Sequence, residues 1–179
     1  MSHDLHMRTA DSIEAALSGV CTVLRDKACG GAQRIPLFVG FDKSRATGYC
    51  NVDLLIRQGA LVRGIIELEE SDIKPTQICG KFLTSALATF YEHKNDGRLP
   101  LGGASLFFVQ VVDSSNLKRE RTAKFKQFEN LQQSIGQLLP LGQSPITKYR
   151  LFEVNGSADE TGLGRVTTWI DDFLRTASD

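Results

Sequence analysis

The chain has 179 residues, of which 41% are hydrophobic, and its 21 Lys and Arg residues balance its 21 Asp and Glu residues. This length and apolar content suffice for one domain with a buried core, and the zero net charge excludes overall attraction to polyanions as the basis of function. No run of about eighteen apolar residues and no signal-peptide core is present, which predicts a cytoplasmic protein that does not enter a membrane.

The four cysteines indicate reduced thiols rather than a metal site or a disulfide framework. They form no CxxC pair and have no histidine at zinc spacing. Three of them, Cys21, Cys50 and Cys79, fall on predicted apolar faces, which suits core thiols of a cytosolic protein. We assign no role to His3 and His6, which lie in a polar N-terminal tail.

The chain begins with a predicted helix and a short strand. Residues 11–27 are predicted as a helix because apolar residues recur at helical spacing, and Asp11 and Glu14 fit a capping box at its start. Residues 35–41 form an apolar run that predicts a strand, followed by a polar, partly basic loop.

The stretch from Tyr49 to Glu70 is predicted as two strands joined by a tight turn. Both strands carry carboxylates, although Asp and Glu are depleted from strands. Glu67 and Glu69 are two residues apart, so they point to the same face and repel one another. This repulsion predicts that neutralising one of them, as in Glu69→Gln, stabilises the metal-free protein.

The register of this hairpin decides whether Asp53 joins the two glutamates. A two-residue loop pairs Asp53 with Gly64 and puts it on the opposite face. A three-residue loop, Gln58-Gly59-Ala60 with Gly59 in the left-handed region, pairs Asp53 with Ile65 and puts both apolar rows on one face, so we choose it. The three carboxylates then converge, at roughly 7–8 Å between backbones. The predicted faces are Asp53, Glu67 and Glu69 on one side, and Val52, Leu54, Ile66 and Leu68 on the other.

The remaining elements alternate helices with strands. Pro75 suits the first turn of a helix that runs to about His93, and the continuous apolar run 104–112 suits a strand buried on both faces. A helix follows at 116–139, a strand at 147–154 and a closing helix at about 163–174. The order α-β-β-β-α-β-α-β-α predicts a single α/β domain over residues 1–179, with helices on a mixed central sheet.

This order, combined with the positions of the acids, resembles the PD-(D/E)XK nucleases, the restriction-endonuclease-like enzymes whose core runs α-β-β-β-α-β. The resemblance covers about residues 11–113 and leaves a C-terminal α-β-α extension over about 114–176. Val52-Asp53 stands where the family has Pro-Asp, and Glu67-Leu68-Glu69 stands where it has Asp/Glu-x-Lys. Some restriction enzymes of this family carry Glu-x-Glu. In other relatives the lysine role moves to the following helix, where Lys74 and Lys81 are the candidates here.

The resemblance implies a nuclease that hydrolyses DNA phosphodiester bonds with Mg²⁺ or Mn²⁺. Hard divalent cations prefer oxygen ligands, and we expect Asp53, Glu67 and Glu69 to supply them. Bound ions polarise a phosphodiester and lower the pKa of water. Glu69 is expected as either a ligand or a general base, and Lys81 or Lys74 as the group that neutralises charge developing on the phosphate.

Nucleic-acid contacts are expected from the helix that follows the hairpin and from the basic stretch 118–126. Cations at a helix N-terminus oppose the macrodipole, and phosphate binding would be one reason to keep them. DNA is the preferred partner over RNA, and a homodimer is expected by analogy, because cutting two strands needs two sites. The candidate contact residues are Lys74, Gln77, Arg119, Arg121 and Lys124.

Three alternatives stay open from the sequence. In the first, Glu67, Glu69 and Glu70 form a solvated edge. In the second, Glu14 approaches the site from the first helix, as a glutamate does in some relatives. The missing motif lysine favours a restriction-endonuclease-like domain that has lost catalysis and serves as a nucleic-acid-binding or oligomerisation module. An unrelated small-ligand module lacks support, because no Gly-rich phosphate loop is present.

Overall fold

The structure, a computed structural model, describes residues 4–70, 73–115, 117 and 121–176. Within these residues the helices are α1 (Asp4–Ala16), α2 (Pro75–Leu87), α3 (Arg121–Leu138) and α4 (Glu160–Thr176). The strands are β1 (Thr22–Arg25), β2 (Pro36–Phe38), β3 (Gly48–Asn51), β4 (Leu54–Gln58), β5 (Leu61–Glu69), β6 (Phe90–His93), β7 (Gly97–Pro100), β8 (Leu106–Asp113) and β9 (Ile146–Val154).

A mixed five-stranded sheet with the order β1-β4-β5-β8-β9 forms the centre of the fold. β1, β4 and β5 pair antiparallel, whereas β5, β8 and β9 run parallel. One face of the sheet packs against α1 and α4, and the other packs against α2 and α3. The predicted α/β class, with a mixed sheet flanked by helices, is confirmed. None of the described helices is long and apolar enough to span a membrane.

A second sheet with the order β3-β2-β6-β7 was not predicted. The predicted helix from Pro75 to about His93 ends at Leu87, and His93 lies in β6 rather than at a helix end. The chain turns into β6 because Thr89 N donates to Phe38 O at 2.7 Å, which starts pairing with β2. Leu37, Tyr91 and Leu99 of this sheet join the hydrophobic cluster that also contains the inner faces of α2 and α3.

The first helix was placed too far along the chain. It ends at Ala16, and residues 22–25, predicted as helix, form β1 at the edge of the central sheet. Gly19, with a φ of 79°, lies in the turn between them. Asp11 and Glu14 are not capping residues. Their carboxylates lie 2.8 and 2.9 Å from the Arg25 guanidinium, so Glu14 does not approach the acidic site.

The predicted continuous strand over residues 49–56 breaks at Val52-Asp53, where the chain passes from one sheet to the other. Val52 N donates to Ile35 O at 3.0 Å beside the small sheet, whereas Asp53 O accepts from Asp26 N at 2.9 Å beside the central sheet. Val52 therefore packs with the α2 cluster, and its predicted place beside Leu54 is wrong. Asp53 lies at the junction of the two sheets.

The predicted hairpin register is also wrong in detail. Gln58 lies opposite Leu61, so the loop has two residues, and Gly59 has the expected positive φ of 61°. A bulge at Arg63 then adds one residue to β5, so that Leu54 pairs with Ile66 rather than with the Ile65 that the loop alone would give. In the predicted register its partner was Gly64. The bulge preserves the predicted faces of Leu54, Ile66 and Leu68, and it leaves the glutamates of β5 facing α2.

Candidate functional site

The acidic residues meet where the end of β5 lies beneath α2. Asp53 enters from the junction of the two sheets, and its Oδ2 accepts a hydrogen bond from Leu68 N at 2.7 Å. This bond fixes the Asp53 carboxylate against the backbone between Glu67 and Glu69. Glu67 and Glu69 are 1% and 4% exposed, so they do not form the solvated edge that one alternative predicted.

Glu67 is the most deeply buried of these acids. Burial raises the pKa of its carboxyl well above the ordinary value, the nearby Asp53 carboxylate adds to the shift, and Lys81 acts against it. Its Oε1 is buried and accepts no hydrogen bond from any described residue. When Glu67 is ionised, it and Asp53 are two like charges held close together in a place where desolvation makes their repulsion costly.

Lys81 of α2 bridges the two glutamates of β5. Its Nζ lies 2.8 Å from Glu67 Oε2 and 2.6 Å from Glu69 Oε1. Burial alone would lower the pKa of this ammonium, but the two carboxylates outweigh it and raise the pKa. Of the two lysines proposed from the sequence, Lys81 thus reaches the acids, whereas Lys74 is exposed at the residue before α2.

Gln77 completes this arrangement on the same face of α2. Its Nε2 donates to Glu69 Oε2 at 2.6 Å. Because Gln77 and Lys81 are four residues apart on a helix, both point to β5, and together they contact both oxygens of Glu69. Glu69 is therefore held by two polar groups of α2.

His6 of α1 was not predicted to take part. It is 8% exposed, with Nδ1 3.1 Å from Glu70 Oε1 and Nε2 3.9 Å from Asp53 Oδ2. Glu70 Oε1 also accepts from Leu5 N at 3.0 Å, so its carboxylate caps the first turn of α1 and suits the helix dipole. The spacing of Leu5 and Ile13, which line the same buried face, was the signal that the helix starts near residue 4.

Two polar side chains of the sheet, Gln110 and Tyr149, are hydrogen-bonded beneath α2. Gln110 of β8 lies opposite Glu67 in the sheet and is fully buried. Its Nε2 donates to Ile78 O at 3.3 Å, and its Oε1 accepts from the Tyr149 hydroxyl at 2.7 Å. These bonds tie α2 to the sheet beside Lys81, which keeps the lysine over the glutamates.

The predicted nucleic-acid contacts are only partly described. Arg119 lies outside the described residues. Arg121 is the first residue of α3, and its side chain also lies outside the described part of the structure. Lys124 Nζ donates to Ile73 O at 3.3 Å, so it lies beside the segment that leads into α2. α3 therefore starts on the same side of the sheet as Lys81.

The charges of the cluster are unbalanced. Among the residues that the structure describes, no group of three or more His, Cys, Asp and Glu side chains is arranged to hold a metal ion. The cation that lies between Glu67 and Glu69 is the Lys81 ammonium. With all groups ionised, the three carboxylates of Asp53, Glu67 and Glu69 against this one ammonium leave two negative charges.

A separate groove of about 350 Å³ lies between α3, β9 and α4. Arg150, Arg165 and Asp159 are among its lining residues, and it is lined by none of the predicted site residues whose side chains the structure describes. Comparisons of the chain with protein-family models, with curated proteins and with solved structures find no match. The acidic cluster and the fold around it are therefore the basis for assigning a function.

Proposed function

We propose that the protein is a divalent-metal-dependent nuclease of the restriction-endonuclease-like type, which hydrolyses DNA phosphodiester bonds at Asp53, Glu67, Glu69 and Lys81. The observation that carries the proposal is the contact of Lys81 Nζ with Glu67 and Glu69, at 2.8 and 2.6 Å, beside the Asp53 carboxylate. The Glu-x-Glu motif lacks the lysine of the family motif, and Lys81 supplies an ammonium at the acids from the following helix.

The order of the elements supports this family. α1, β1, β4, β5, α2 and β8 follow one another as α-β-β-β-α-β, with three antiparallel strands and then a parallel one. The small sheet is made of two insertions, β2 and β3 before β4, and β6 and β7 before β8. The glutamates and Lys81 lie on β5 and α2, the elements that carry such residues in the family.

The carboxylates suit a hard cation. Glu67 Oε1 is buried without a hydrogen-bond donor from the described residues, and the Asp53 carboxylate lies beside it. Oxygen ligands of this kind are those that Mg²⁺ and Mn²⁺ prefer, and with all groups ionised the two excess negative charges equal the charge of one such ion. Asp53 and Glu67 would hold the ion, which when bound polarises the phosphodiester and lowers the pKa of water.

The residues of α2 provide the rest of the chemistry. Lys81, whose side chain is 31% exposed, would donate from its ammonium to a phosphate oxygen and stabilise the charge that develops there. Glu69, held by Gln77, positions Lys81 rather than acting as a base. In the net reaction, water adds to phosphorus, the P–O bond to the leaving sugar oxygen breaks, and that oxygen receives the proton from the water.

The second candidate function is a catalytically inactive domain of the same fold that binds nucleic acid or oligomerises. The ion pairs of Lys81 favour it, because a lysine that already neutralises Glu67 and Glu69 is also what a purely structural site would contain. The described acids also form no ready-made three-residue metal cluster.

Incubation with supercoiled plasmid separates the two functions. The wild-type protein is expected to nick or linearise the plasmid with Mg²⁺ or Mn²⁺ and not with chelator. Asp53→Asn and Lys81→Met are expected to lower the rate by about 10²–10⁴-fold. Asp171→Asn, which alters a surface ion pair of α4, is the matched control and should cleave normally. Salt-dependent DNA binding without cleavage would support the second candidate, and cleavage that survives Asp53→Asn would exclude this site.

A further inference from the structure

Phe41 is the most exposed large hydrophobic side chain in the described part of the protein. Its exposed fraction is 88%, and the next highest value is the 58% of Leu138. It lies in the loop formed by residues 39–47 between β2 and β3, which we call the aromatic loop. An exposed aromatic ring of this size is costly to keep in water unless it contacts something else.

The aromatic loop is fixed by hydrogen bonds at both ends. Thr89 Oγ1 donates to Gly40 O at 2.9 Å, and Arg98 Nη1 donates to Phe41 O at 2.8 Å. Across the loop, Val39 N donates to Thr47 O at 2.9 Å. The backbone on both sides of Phe41 is thus anchored, so the ring is presented to solvent by an ordered loop.

Cations lie on the aromatic loop and beside it: Lys43 is near the Phe38 ring, and Arg98 lies over the Phe90 ring. Lys43 and Arg98 have 43% and 46% of their side chains exposed, and Arg45 is exposed on the same loop. Glu92 contacts both Lys43 and Arg98, and Asp42 is the other acid of the loop region. Three cations against two acids leave one positive charge in excess on and beside the aromatic loop, which favours a negatively charged partner.

An exposed edge strand connects this loop to the acidic site. β3 lies at one edge of the small sheet. It carries Tyr49, which is 43% exposed, and the exposed Asn51. Two residues after Asn51, the chain reaches Asp53. Asp53 follows Gly48 by five positions, so β3 brings Tyr49 and Asn51 close along the chain to the acidic site.

We propose that the aromatic loop and β3 bind a nucleic-acid strand with unpaired bases and lead it to the acidic site. Bases stack on Phe41 and Tyr49, and Lys43, Arg45 and Arg98 contact the phosphates. A fully paired duplex offers phosphates but no free base faces to these rings, so the preferred substrate is single-stranded or locally unpaired. The inference rests on the proposed function, because it takes Asp53 as the point of cleavage.

Binding without cleavage tests the inference. We would measure fluorescence anisotropy of the full chain with a labelled single strand of about 20 nucleotides and with the matching duplex, in chelator. Phe41→Ala is expected to weaken single-strand binding by about 5–100-fold and duplex binding much less, since stacking on one aromatic contributes a factor of this size. Phe41→Trp keeps an aromatic ring at this position, so it should bind the single strand as the wild type does. Leu138→Ala, an exposed apolar residue of α3, is the matched control and should change nothing.

A second measurement tests the phosphate interactions. Lys43→Ser with Arg45→Ser should flatten the dependence of single-strand affinity on salt by about 0.7 in logarithmic slope for each phosphate that the protein no longer neutralises. Lys148→Ser, on the exposed side of β9, is the control cation. An unchanged slope together with unchanged affinity for Phe41→Ala would overturn the inference.

Failure of this inference is distinguishable from failure of the nuclease. If Asp53→Asn abolishes cleavage while Phe41→Ala binds normally, the nuclease stands and the aromatic loop has no part in binding. If Phe41→Ala instead changes the sedimentation of the protein without affecting nucleic-acid binding, the loop contacts another copy of the chain and the inference is wrong. Binding that depends on Phe41 without any cleavage would support the loop surface and remove the nuclease.

Discussion

Lys81 Nζ lies 2.8 Å from Glu67 Oε2, although the lysine belongs to a helix on the face of the sheet and the glutamate, only 1% exposed, belongs to the strand beneath it. Burial makes ionised Glu67 unfavourable, and the Asp53 carboxylate worsens this, so Lys81 compensates only in part. The metal-free site therefore contains a carboxylate that the fold holds under electrostatic strain.

The strain predicts that Glu67→Gln stabilises the metal-free protein. A carboxyl whose pKa is raised in the folded state binds its proton more tightly there, so stability falls as pH rises above the ordinary pKa of about 4.3 towards the raised value. The glutamine variant has no titrating carboxyl at this position, so its stability does not fall with pH in this way. It should be more stable than wild type by about 0.5–2 kcal/mol at pH 8, with the difference vanishing near pH 4. Urea unfolding in chelator across this range measures it.

Glu69→Gln should not stabilise the protein, contrary to the expectation from the sequence. Both oxygens of Glu69 contact polar groups of α2, the Lys81 ammonium and the Gln77 amide. A glutamine would set its amide N–H₂ against one of these donors, and a mispaired buried group costs about 1–3 kcal/mol. The same unfolding measurements compare it directly with Glu67→Gln, and equal stabilisation by both variants would contradict the described contacts.

Removal of Lys81 should destabilise the fold in a pH-dependent way. Lys81→Met leaves Glu67 and Glu69 buried without their cation, and loss of one partner of a buried pair costs about 3–5 kcal/mol. Because Lys81 is 31% exposed, we expect the lower end of this range at pH 8 and a smaller loss at pH 5, where Glu67 takes up a proton. The double variant Lys81→Met with Glu67→Gln should recover much of the loss. A loss of stability independent of pH would mean that packing rather than charge is responsible.

Metal binding should raise the melting temperature through Asp53 and Glu67. A ligand at 100 times its Kd stabilises the folded state by about 2.7 kcal/mol, which corresponds to roughly 5–10 °C for a chain of this size. Mn²⁺ is expected to produce this shift in the wild type and not in Asp53→Asn. Asp171→Asn, which alters a surface ion pair of α4, should keep the shift. No shift in the wild type would remove the metal site and leave the inactive-domain alternative.

His6 and Glu70 should be energetically coupled. The imidazole Nδ1 lies 3.1 Å from Glu70 Oε1, and the same carboxylate caps α1. His6→Ala and Glu70→Ala should each lower stability, and the double variant should lose less than the two single losses combined, with a coupling of about 0.5–3 kcal/mol. A double-mutant cycle by urea unfolding measures this coupling. Additive losses would show that His6 packs at the site without contributing to it.

Local patterns in the sequence determine much of the central sheet and the identity of the acids. The apolar run of β8, the periodicity of α2, α3 and α4, and the alternation along β5 all depend on neighbouring residues, and they predict these elements to within a few residues, apart from the C-terminal end of α2. Glu67 and Glu69 share a face because strands have a period of two, whatever the rest of the fold does. The placement of a lysine on the following helix rested on the family resemblance.

Only the tertiary structure decides how these parts meet. The break at Val52-Asp53, the bulge at Arg63 and the strands β1, β6 and β7 depend on pairing with residues far along the chain, which local periodicity does not contain. His6 enters the site because α1 packs across the sheet and Glu70 caps its first turn. Lys81 rather than Lys74 reaches Glu67 because α2 lies along β5, where a buried carboxylate needs a cation that only the packed helix can supply.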